Sequence, residues 1–251
     1  MSKPTYTNEK VKPYESEEDK TSQLVKMFNT ISHEYDRFND LASMGLAHLW
    51  RRKSLGYMKA LAPKHILDVA TGTADVCLEA NRVLSPDSIV GIDISDQMLV
   101  EGRIKLKSAG LDNKIQLELQ DCANLPYPDN SFDAVTISFG LRNLEKLSES
   151  LTQIHRVLRP GGQFLILELN EPQAKLTNWL FHIYMKVIIS ISNLLFAKDK
   201  KAFKYLTRSM AAFPRGKRLI AILEYHRFRT LRTGRFSFGV CSAYLLEKPV
   251  V

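Results

Sequence analysis

Cysteine is scarce in this chain, with Cys77, Cys122 and Cys241 as the only three in 251 residues. Their odd number and wide spacing provide neither a disulfide framework nor a recognisable zinc-ligand pattern. We therefore expect a protein of a reducing compartment, the cytoplasm, that holds no metal ion.

Long apolar runs are also missing. No stretch of about 20 residues is apolar and uncharged enough to span a bilayer. The first 20 residues mix acidic and basic side chains without an apolar core, so they resemble neither a secretory signal nor an acid-poor transit peptide. We expect residues 1–20 to form a flexible tail on a soluble or peripheral protein.

The net charge of +8 is unevenly distributed, because residues 198–235 contain twelve Lys or Arg against Asp199 and Glu224. Such an excess suits nucleic acid, anionic lipid or simply a solvated surface. The chain has no recognisable RNA-binding module and no Asn-Pro-Pro-aromatic motif for amino methylation. We expect no nucleic-acid partner, and we leave open peripheral contact with an anionic membrane and a homo-oligomer.

The order of apolar segments predicts an α/β fold. Residues 21–62 have helical periodicity, for example at Leu24, Met27, Phe28 and Ile31. Residues 63–172 then alternate between apolar strands and amphipathic helices, which is typical of parallel βαβ units with helices on both faces of a sheet. The predicted strands cover 65–70, 88–93, 114–120, 132–138 and 162–169, and the predicted helices cover 74–84, 96–109 and 146–158.

After Pro172 the alternation stops. Residues 173–213 are predicted to be a helical insert, and their apolar part, 176–196, suits either a lid over an apolar ligand or an ordinary pair of core helices. Residues 214–251 end in an apolar segment, 236–246, that we expect to complete the sheet.

A small-residue loop follows the first predicted strand and precedes a helix, at residues 71–75. Gly72 suits a tight turn beside a ligand, because glycine adopts backbone conformations that other residues avoid. Asp93 ends the next strand about 20 residues later, where a carboxylate accepts hydrogen bonds from ribose hydroxyls. Strand, loop and carboxylate together predict a Rossmann-like site for a nucleoside-containing cofactor.

The identity of that cofactor follows from what the loop does not contain. A dinucleotide site requires G-x-G-x-x-G, whereas Ala70, Gly72 and Asp75 occupy the matching positions. Asp68 places negative charge near the loop, which suits the sulfonium and amino groups of S-adenosylmethionine better than phosphates. The sequence therefore favours S-adenosylmethionine.

Two further strand ends supply candidate cofactor contacts. Asp121 follows the third strand, where it would accept a hydrogen bond from the adenine amino group or simply start a turn. Cys122 would pack beside the adenine ring. Ser138 ends the fourth strand and would lie near the methionine part of the cofactor, or serve a structural role.

Several motifs resemble the ubiquinone/menaquinone biosynthesis C-methyltransferase family, from about Val25 to Pro172 and more weakly through the tail. The most specific is the hexapeptide at 138–143. The others are Tyr35-Asp36 with Asn39-Asp40-Leu41, Leu49-Trp50-Arg51-Arg52, the loop at 71–75, and Leu125-Pro126-Tyr127-Pro128-Asp129.

This resemblance implies a seven-stranded class I methyltransferase sheet, with N-terminal helices and a helical insert before the last strands. It also implies cofactor contacts from Thr73, Asp93, Asp121, Cys122 and Ser138. The chain departs from the family at Thr71 and Ala74, where glycines are usual, and these side chains would narrow the loop.

The activity that the resemblance implies is methylation of a ring carbon in a prenylated quinol. The leading acceptor is demethylmenaquinol, and a polyprenyl-methoxybenzoquinol is an alternative or additional one. A ring carbon becomes nucleophilic once the neighbouring phenol, with a pKa near 10, has ionised. We expect Arg142 to stabilise the phenolate, Asn143 to orient its oxygen, and His33 or a water to take the proton.

Two parts of this interpretation stay open. Tyr35, His48 and Trp50 are candidates for the wall of the acceptor pocket or are packing residues. A non-enzymatic cofactor-binding protein, in which the altered loop has lost its affinity for the methyl donor, is an alternative to the enzyme.

Overall fold

The computed structural model describes residues 6–172, 174–195 and 200–250. Residues 1–5 of the predicted tail and 196–199 of the predicted insert lie outside these ranges. Among the described residues, no helix is long and apolar enough to cross a bilayer.

Seven strands form one sheet within the described residues, in the order β3-β2-β1-β4-β5-β7-β6. Strands β1 to β5 are parallel to one another, and β7 runs antiparallel to both β5 and β6. The strands are β1 His65–Val69, β2 Ser88–Asp93, β3 Ile115–Leu119, β4 Phe132–Ser138, β5 Leu158–Leu169, β6 Arg229–Phe236 and β7 Cys241–Glu247. The strand order reverses between β1 and β4, and open α/β sheets bind ligands at such a switch point.

Eight helices flank the sheet in the described part of the chain. They are α1 Lys20–Ser43, α2 Leu46–Leu55, α3 Asp75–Leu84, α4 Asp96–Ser108, α5 Leu147–Val157, α6 Lys175–Leu195, α7 Lys200–Ala212 and α8 Lys217–Tyr225. Helix α1 begins at an Asp19 cap, whose carboxylate accepts a hydrogen bond from the Ser22 backbone N–H at 2.8 Å.

Both faces of the sheet are covered because side chains alternate along each strand. Phe164 and Ile166 of β5 pack with α5 and α8 on one face. Leu165, between them, packs with α2, α3 and α4 on the other. The predicted α/β class and the seven-stranded sheet are therefore confirmed. Strand β5 begins at Leu158, four residues before its predicted start, and pairs there with Phe132 across an irregularity in the register.

The N-terminal segment differs from the predicted flexible tail. Tyr6, Asn8 and Lys20 are buried. The Asn8 amide donates to the carbonyl oxygens of Arg142 and Leu144 at 3.3 and 3.4 Å. The Lys20 ammonium donates to the carbonyl oxygens of Asn8 and Arg142 at 2.8 and 3.1 Å. We call residues 6–20 the N-terminal strap. The sequence did not predict that the N-terminal strap packs on the protein, because its charges are mixed and its inward-facing residues are themselves polar.

Candidate active site

A crevice of about 70 Å³ lies at the carboxyl ends of β1, β2 and β4, the position expected for the cofactor. Five of the residues predicted to bind the cofactor line it: Gly72, Asp93, Asp121, Cys122 and Ser138. We call this space the donor crevice. Helix α1 closes it on the outside with Thr21, Phe28 and Tyr35.

Gly72 and Asp93 hold each other in place. The backbone N–H of Gly72 donates to one Asp93 carboxylate oxygen at 2.8 Å, and the Ser95 N–H donates to the other at 2.9 Å. Burial raises the pKa of Asp93, and these two hydrogen bonds oppose that rise. Each carboxylate oxygen keeps further acceptor capacity, which suits two ribose hydroxyls. Gly72 has φ of 56°, a conformation that favours glycine.

The other three lining residues offer different chemistry. The Ser138 hydroxyl is buried and makes no hydrogen bond. Burial raises the pKa of the Cys122 thiol to about 12, so the neutral side chain presents an apolar wall. Asp121 is exposed and accepts a hydrogen bond from the Ala123 N–H at 2.9 Å, so it both lines the crevice and starts the turn.

Asp68 and Thr73, the other two residues predicted to bind the cofactor, are not among the residues that line the crevice. Asp68 accepts a hydrogen bond from the Thr136 hydroxyl at 2.5 Å, and burial raises its pKa to about 6. It lies one residue before the end of β1, so its side chain points to a sheet face. The Thr73 hydroxyl donates to Asp36 at 2.6 Å and accepts from the Lys105 ammonium at 2.9 Å.

The unusual loop residues Thr71 and Ala74 are not among the residues that line the crevice. Thr71 is turned towards Cys77, with its oxygen 3.2 Å from the sulfur. Gly91 makes room for it, because a Cβ atom there would lie 2.8 Å from the threonine oxygen. Ala74 adopts φ of 65° and packs beside Gly102. Two glycines on neighbouring elements thus accommodate the larger loop residues.

A second, larger cavity of about 420 Å³ adjoins the donor crevice, and we call it the acceptor cavity. Phe28, Tyr35, Phe139 and Asn143 line both spaces and form their junction. The remaining walls are mostly apolar side chains from α1, α2, α6 and α7. Tyr35 and Trp50 therefore line a pocket as well as pack. His48 does not line it and is instead exposed, 3.0 Å from Asp40.

Arg142 and Asn143 both line the acceptor cavity, and Asn143 lies at its junction with the donor crevice. The Arg142 guanidinium forms an ion pair with the fully buried carboxylate of Glu168 and donates to the Phe139 carbonyl at 2.6 Å. Its Nε is buried and makes no hydrogen bond. The side-chain oxygen of Asn143 accepts a hydrogen bond from the Tyr205 hydroxyl at 3.1 Å, which fixes the direction of the amide.

The structure does not place His33, one of the two predicted acceptors of the phenolic proton, beside the acceptor cavity. Its side chain is 74% exposed, and its Nδ1 lies 2.7 Å from Glu101. It lines neither cavity. Ile31 and Tyr35, four residues apart, face the acceptor cavity, and the residue midway between them points to another side of the same helix.

Sequence reasoning missed Glu168, Asn39 and Tyr205. Glu168 did leave a signal, because it is the one charged residue in the apolar run from Phe164 to Leu169. A charge in a buried strand requires a partner. Asn39 belongs to a motif that was recognised, without a role. Nothing in the sequence placed Tyr205 of α7 beside Asn143.

Solved structures with the same architecture show the fold alone, because their sequence identity is low. The [4+2]-cyclase SpnF matches with a TM-score of 0.68 at 16% identity, covering 92% of this chain and 97% of that one. A putative methyltransferase from Bacillus halodurans matches with a TM-score of 0.59 at 16% identity, covering 79% and 99%.

Sequence relatives are much closer. A protein from Bacteroides fragilis named demethylmenaquinone methyltransferase is 39% identical over 243 residues, covering 97% of this chain and 99% of the relative. One of the same name from Porphyromonas gingivalis is 37% identical over 238 residues, covering 94% and 97%. A ubiquinone/menaquinone biosynthesis C-methyltransferase UbiE from Geotalea daltonii is 36% identical over 231 residues, covering 92% and 98%. The model of the ubiE/COQ5 methyltransferase family matches residues 15–248. This chain therefore belongs to the ubiE/COQ5 methyltransferase family.

Proposed function

We propose that this protein transfers the methyl group of S-adenosylmethionine to a ring carbon of a prenylated quinol, converting demethylmenaquinol to menaquinol. The relatives of 39% and 37% identity bear the name of this activity. A large apolar cavity that adjoins a nucleoside-type crevice supports the same reaction. The donor supplies a methyl group on a positively charged sulfur.

The residues of the donor crevice fit S-adenosylmethionine. Asp93 would hold the ribose hydroxyls and Cys122 would flank the adenine. The buried Ser138 hydroxyl has no protein partner, and an unpaired buried polar group costs about 1–3 kcal/mol. A bound donor that hydrogen-bonds to Ser138 would remove that cost.

The observation that carries the proposal is a pair of unused donors on the wall of the acceptor cavity. Among the described residues, buried Arg142 Nε has no hydrogen-bond partner, and buried Asn39 Nδ2 has no partner of normal geometry, although Asn39 interacts with the Tyr35 side chain. In an otherwise apolar cavity, such N–H groups are suited to donate hydrogen bonds to the oxygen atoms of an otherwise apolar ring. A prenylated quinol offers ring oxygens together with a large apolar body.

Positioning and electrostatics would then activate the ring. The Arg142 N–H stabilises negative charge on a quinol oxygen, which lowers the pKa of that phenol and increases electron density on the adjacent carbon. Asn143 uses its carbonyl oxygen to accept from Tyr205, so its NH₂ group is available to orient the substrate. The described lining of the cavity includes no carboxylate and no histidine, so we assign the role of proton acceptor to water.

Ubiquinone synthesis supplies the second candidate acceptor, a polyprenyl-methoxybenzoquinol. The UbiE relative at 36% identity supports it. We favour the naphthoquinol ring because the more similar relatives are named for it and because the cavity wall is mostly apolar. We also propose that the protein is cytoplasmic, binds neither metal nor nucleic acid, and is at most peripherally attached to a membrane.

Incubation with both ring types tests the proposal. Purified protein receives isotopically labelled S-adenosylmethionine and reduced short-chain acceptors of the naphthoquinol or methoxybenzoquinol type, and product masses are measured. The naphthoquinol should gain one labelled methyl group at the higher rate. Transfer to neither ring contradicts the proposal. Calorimetry with the donor alone then separates a cofactor-binding protein from one without donor affinity.

A further inference from the structure

Helix α6 presents an apolar stripe to solvent beside the acceptor cavity. Leu176, Trp179, Leu180, Ile183 and Val187 are between 43% and 68% exposed. Their spacing of three, four, seven and eleven residues places them on one side of a helix. We call these five residues the α6 stripe. The opposite side of α6 is buried through Phe181, Met185 and Ile188, so the stripe is not a core face.

The α6 stripe is continuous with the mouth of the acceptor cavity. Leu180 belongs to the stripe and also lines the cavity. The exposed side chains of Met44 and Phe238, which lie outside the stripe, line the cavity as well. Phe238 is 91% exposed and has φ of 55°, so a strained backbone holds a large aromatic ring in solvent. Trp50 fixes this turn through a hydrogen bond to the Ser237 hydroxyl at 3.1 Å.

One edge of α6 adds positive charge. Lys175, His182 and Lys186 are exposed and lie seven and eleven residues apart, on one flank of the stripe. Residues 175–195 contain no aspartate or glutamate. The helix therefore has a buried face, an apolar exposed face and a basic edge, the pattern of helices that lie in the plane of a membrane interface.

We propose that the α6 stripe, with Met44 and Phe238 at the cavity mouth, docks on the surface of an anionic lipid bilayer and admits the isoprenoid tail of the acceptor from it. This inference rests on the proposed function, since a prenylated acceptor resides in lipid. Met44, Leu180 and Phe238 are exposed and also line the cavity, so docking would bring the cavity against the acyl region. The lysines would face anionic headgroups.

Trp179 provides a direct probe of docking. The chain has two tryptophans, and the other, Trp50, is buried. Phosphatidylglycerol-containing vesicles should shift the emission of Trp179 to shorter wavelength and sediment the protein, whereas purely zwitterionic vesicles should do so more weakly. Trp179→Phe should abolish the spectral shift. Absence of both shift and sedimentation at low salt overturns the proposal.

Matched variants distinguish vesicle binding through the α6 stripe from nonspecific adsorption of the protein. Trp179→Ser with Ile183→Ser, two stripe residues that do not line the acceptor cavity, should weaken vesicle partitioning by about tenfold or more. Ile104→Ser, which changes a similarly exposed apolar residue on α4, should leave vesicle partitioning unchanged.

Lys175→Gln with Lys186→Gln should weaken binding to anionic vesicles by about tenfold to thirtyfold. The exposed pair Lys53→Gln and Lys59→Gln is the control. Equal losses in target and control variants contradict the proposal.

Turnover with two acceptors separates this inference from the proposed function. The serine double variant should lose transfer to a long-chain acceptor embedded in vesicles and keep transfer to a short-chain acceptor in solution. If wild type methylates neither acceptor yet docks on vesicles, the proposed function fails and the docking surface stands. If light scattering shows a dimer that the serine variant abolishes, without vesicle binding by wild type, a second copy of the chain covers the stripe and lipid docking is contradicted.

Discussion

The Glu168 carboxylate and the Arg142 guanidinium form a buried ion pair beside the acceptor cavity, which Arg142 lines. Glu168 also accepts a hydrogen bond from the Arg142 backbone N–H at 3.2 Å, so it holds both the main chain and the side chain of that residue. Arg142 is therefore a fixed hydrogen-bond donor whose charge is balanced.

Glu168→Gln tests this relationship. Loss of the carboxylate frees the guanidinium to shift, and a misplacement of about 1 Å reduces turnover by about a hundredfold. We expect kcat to fall at least tenfold while the Kd for S-adenosylmethionine stays constant. Thermal unfolding should show lower stability, because a buried charge loses its partner. Glu171→Gln, which removes a partly exposed pair with Arg215, is the control. An unchanged kcat removes Glu168 from the positioning of Arg142.

Asn39→Leu should weaken acceptor binding while leaving the stability of the protein nearly unchanged. Apart from an interaction with the Tyr35 side chain, the buried Asn39 amide nitrogen makes no hydrogen bond of normal geometry with the described residues, so an apolar replacement removes a desolvated donor and should lower the free energy of unfolding little. If that nitrogen binds a quinol oxygen, the acceptor KM should rise about tenfold, since such a hydrogen bond contributes about 1–1.5 kcal/mol. Steady-state kinetics with varied acceptor measure this. An unchanged KM contradicts the assignment.

Ser138→Ala should weaken donor binding selectively. Its hydroxyl is buried in the donor crevice without a partner, and we expect the donor Kd to increase about tenfold without loss of stability. Calorimetry measures the Kd. Ser209→Ala provides a control, because Ser209 is buried on α7, away from the donor crevice, and donates to the Leu206 carbonyl. If both variants bind the donor like wild type, Ser138 has a structural role.

Because Lys20 is buried in the N-terminal strap, it should make the stability of the protein depend on pH. Burial lowers the pKa of Lys20 to about 8 from its usual 10.5. Between these values the unfolded state binds the proton and the folded state does not, so stability rises with pH in this window. Lys20→Met should lack that rise, and its stability relative to wild type should therefore fall from pH 8 to 10.5. Denaturant titrations measure the difference.

The same substitution should affect catalysis. It removes the ammonium that donates to the Arg142 carbonyl, so kcat at neutral pH should drop several-fold with an unchanged donor Kd. Lys12→Met is the control, because Lys12 donates to the Glu18 carbonyl within the strap. A kcat equal to that of wild type would make the strap a purely structural element.

Local patterns predicted the parts of the site that depend on one strand end. Gly72, Asp93 and Ser138 lie where β1, β2 and β4 finish, and the carboxyl ends of parallel strands converge at one edge of a sheet. Asp68 lies one position before the end of β1, inside the strand, so its side chain points to a face of the sheet.

Contacts between distant elements were not predictable in the same way. His33 lies on a helix whose rotation about its axis is set by packing. In this rotation Ile31 and Tyr35 face the acceptor cavity. Lys20 and Asn8 are polar residues buried by carbonyl groups more than 100 positions away. Their composition predicts a solvated tail, because the partners that satisfy them are invisible in the sequence.

The most direct test of the account uses S-adenosylmethionine with a carbon-13 methyl group and reduced demethylmenaquinone. NMR of the extracted product distinguishes a methyl group on a ring carbon from one on oxygen. Wild type should yield one labelled ring methyl, and Arg142→Ala should yield it at a rate lower by a hundredfold or so while binding the donor normally. A methoxy signal, or no labelled product from wild type, would contradict quinol C-methylation.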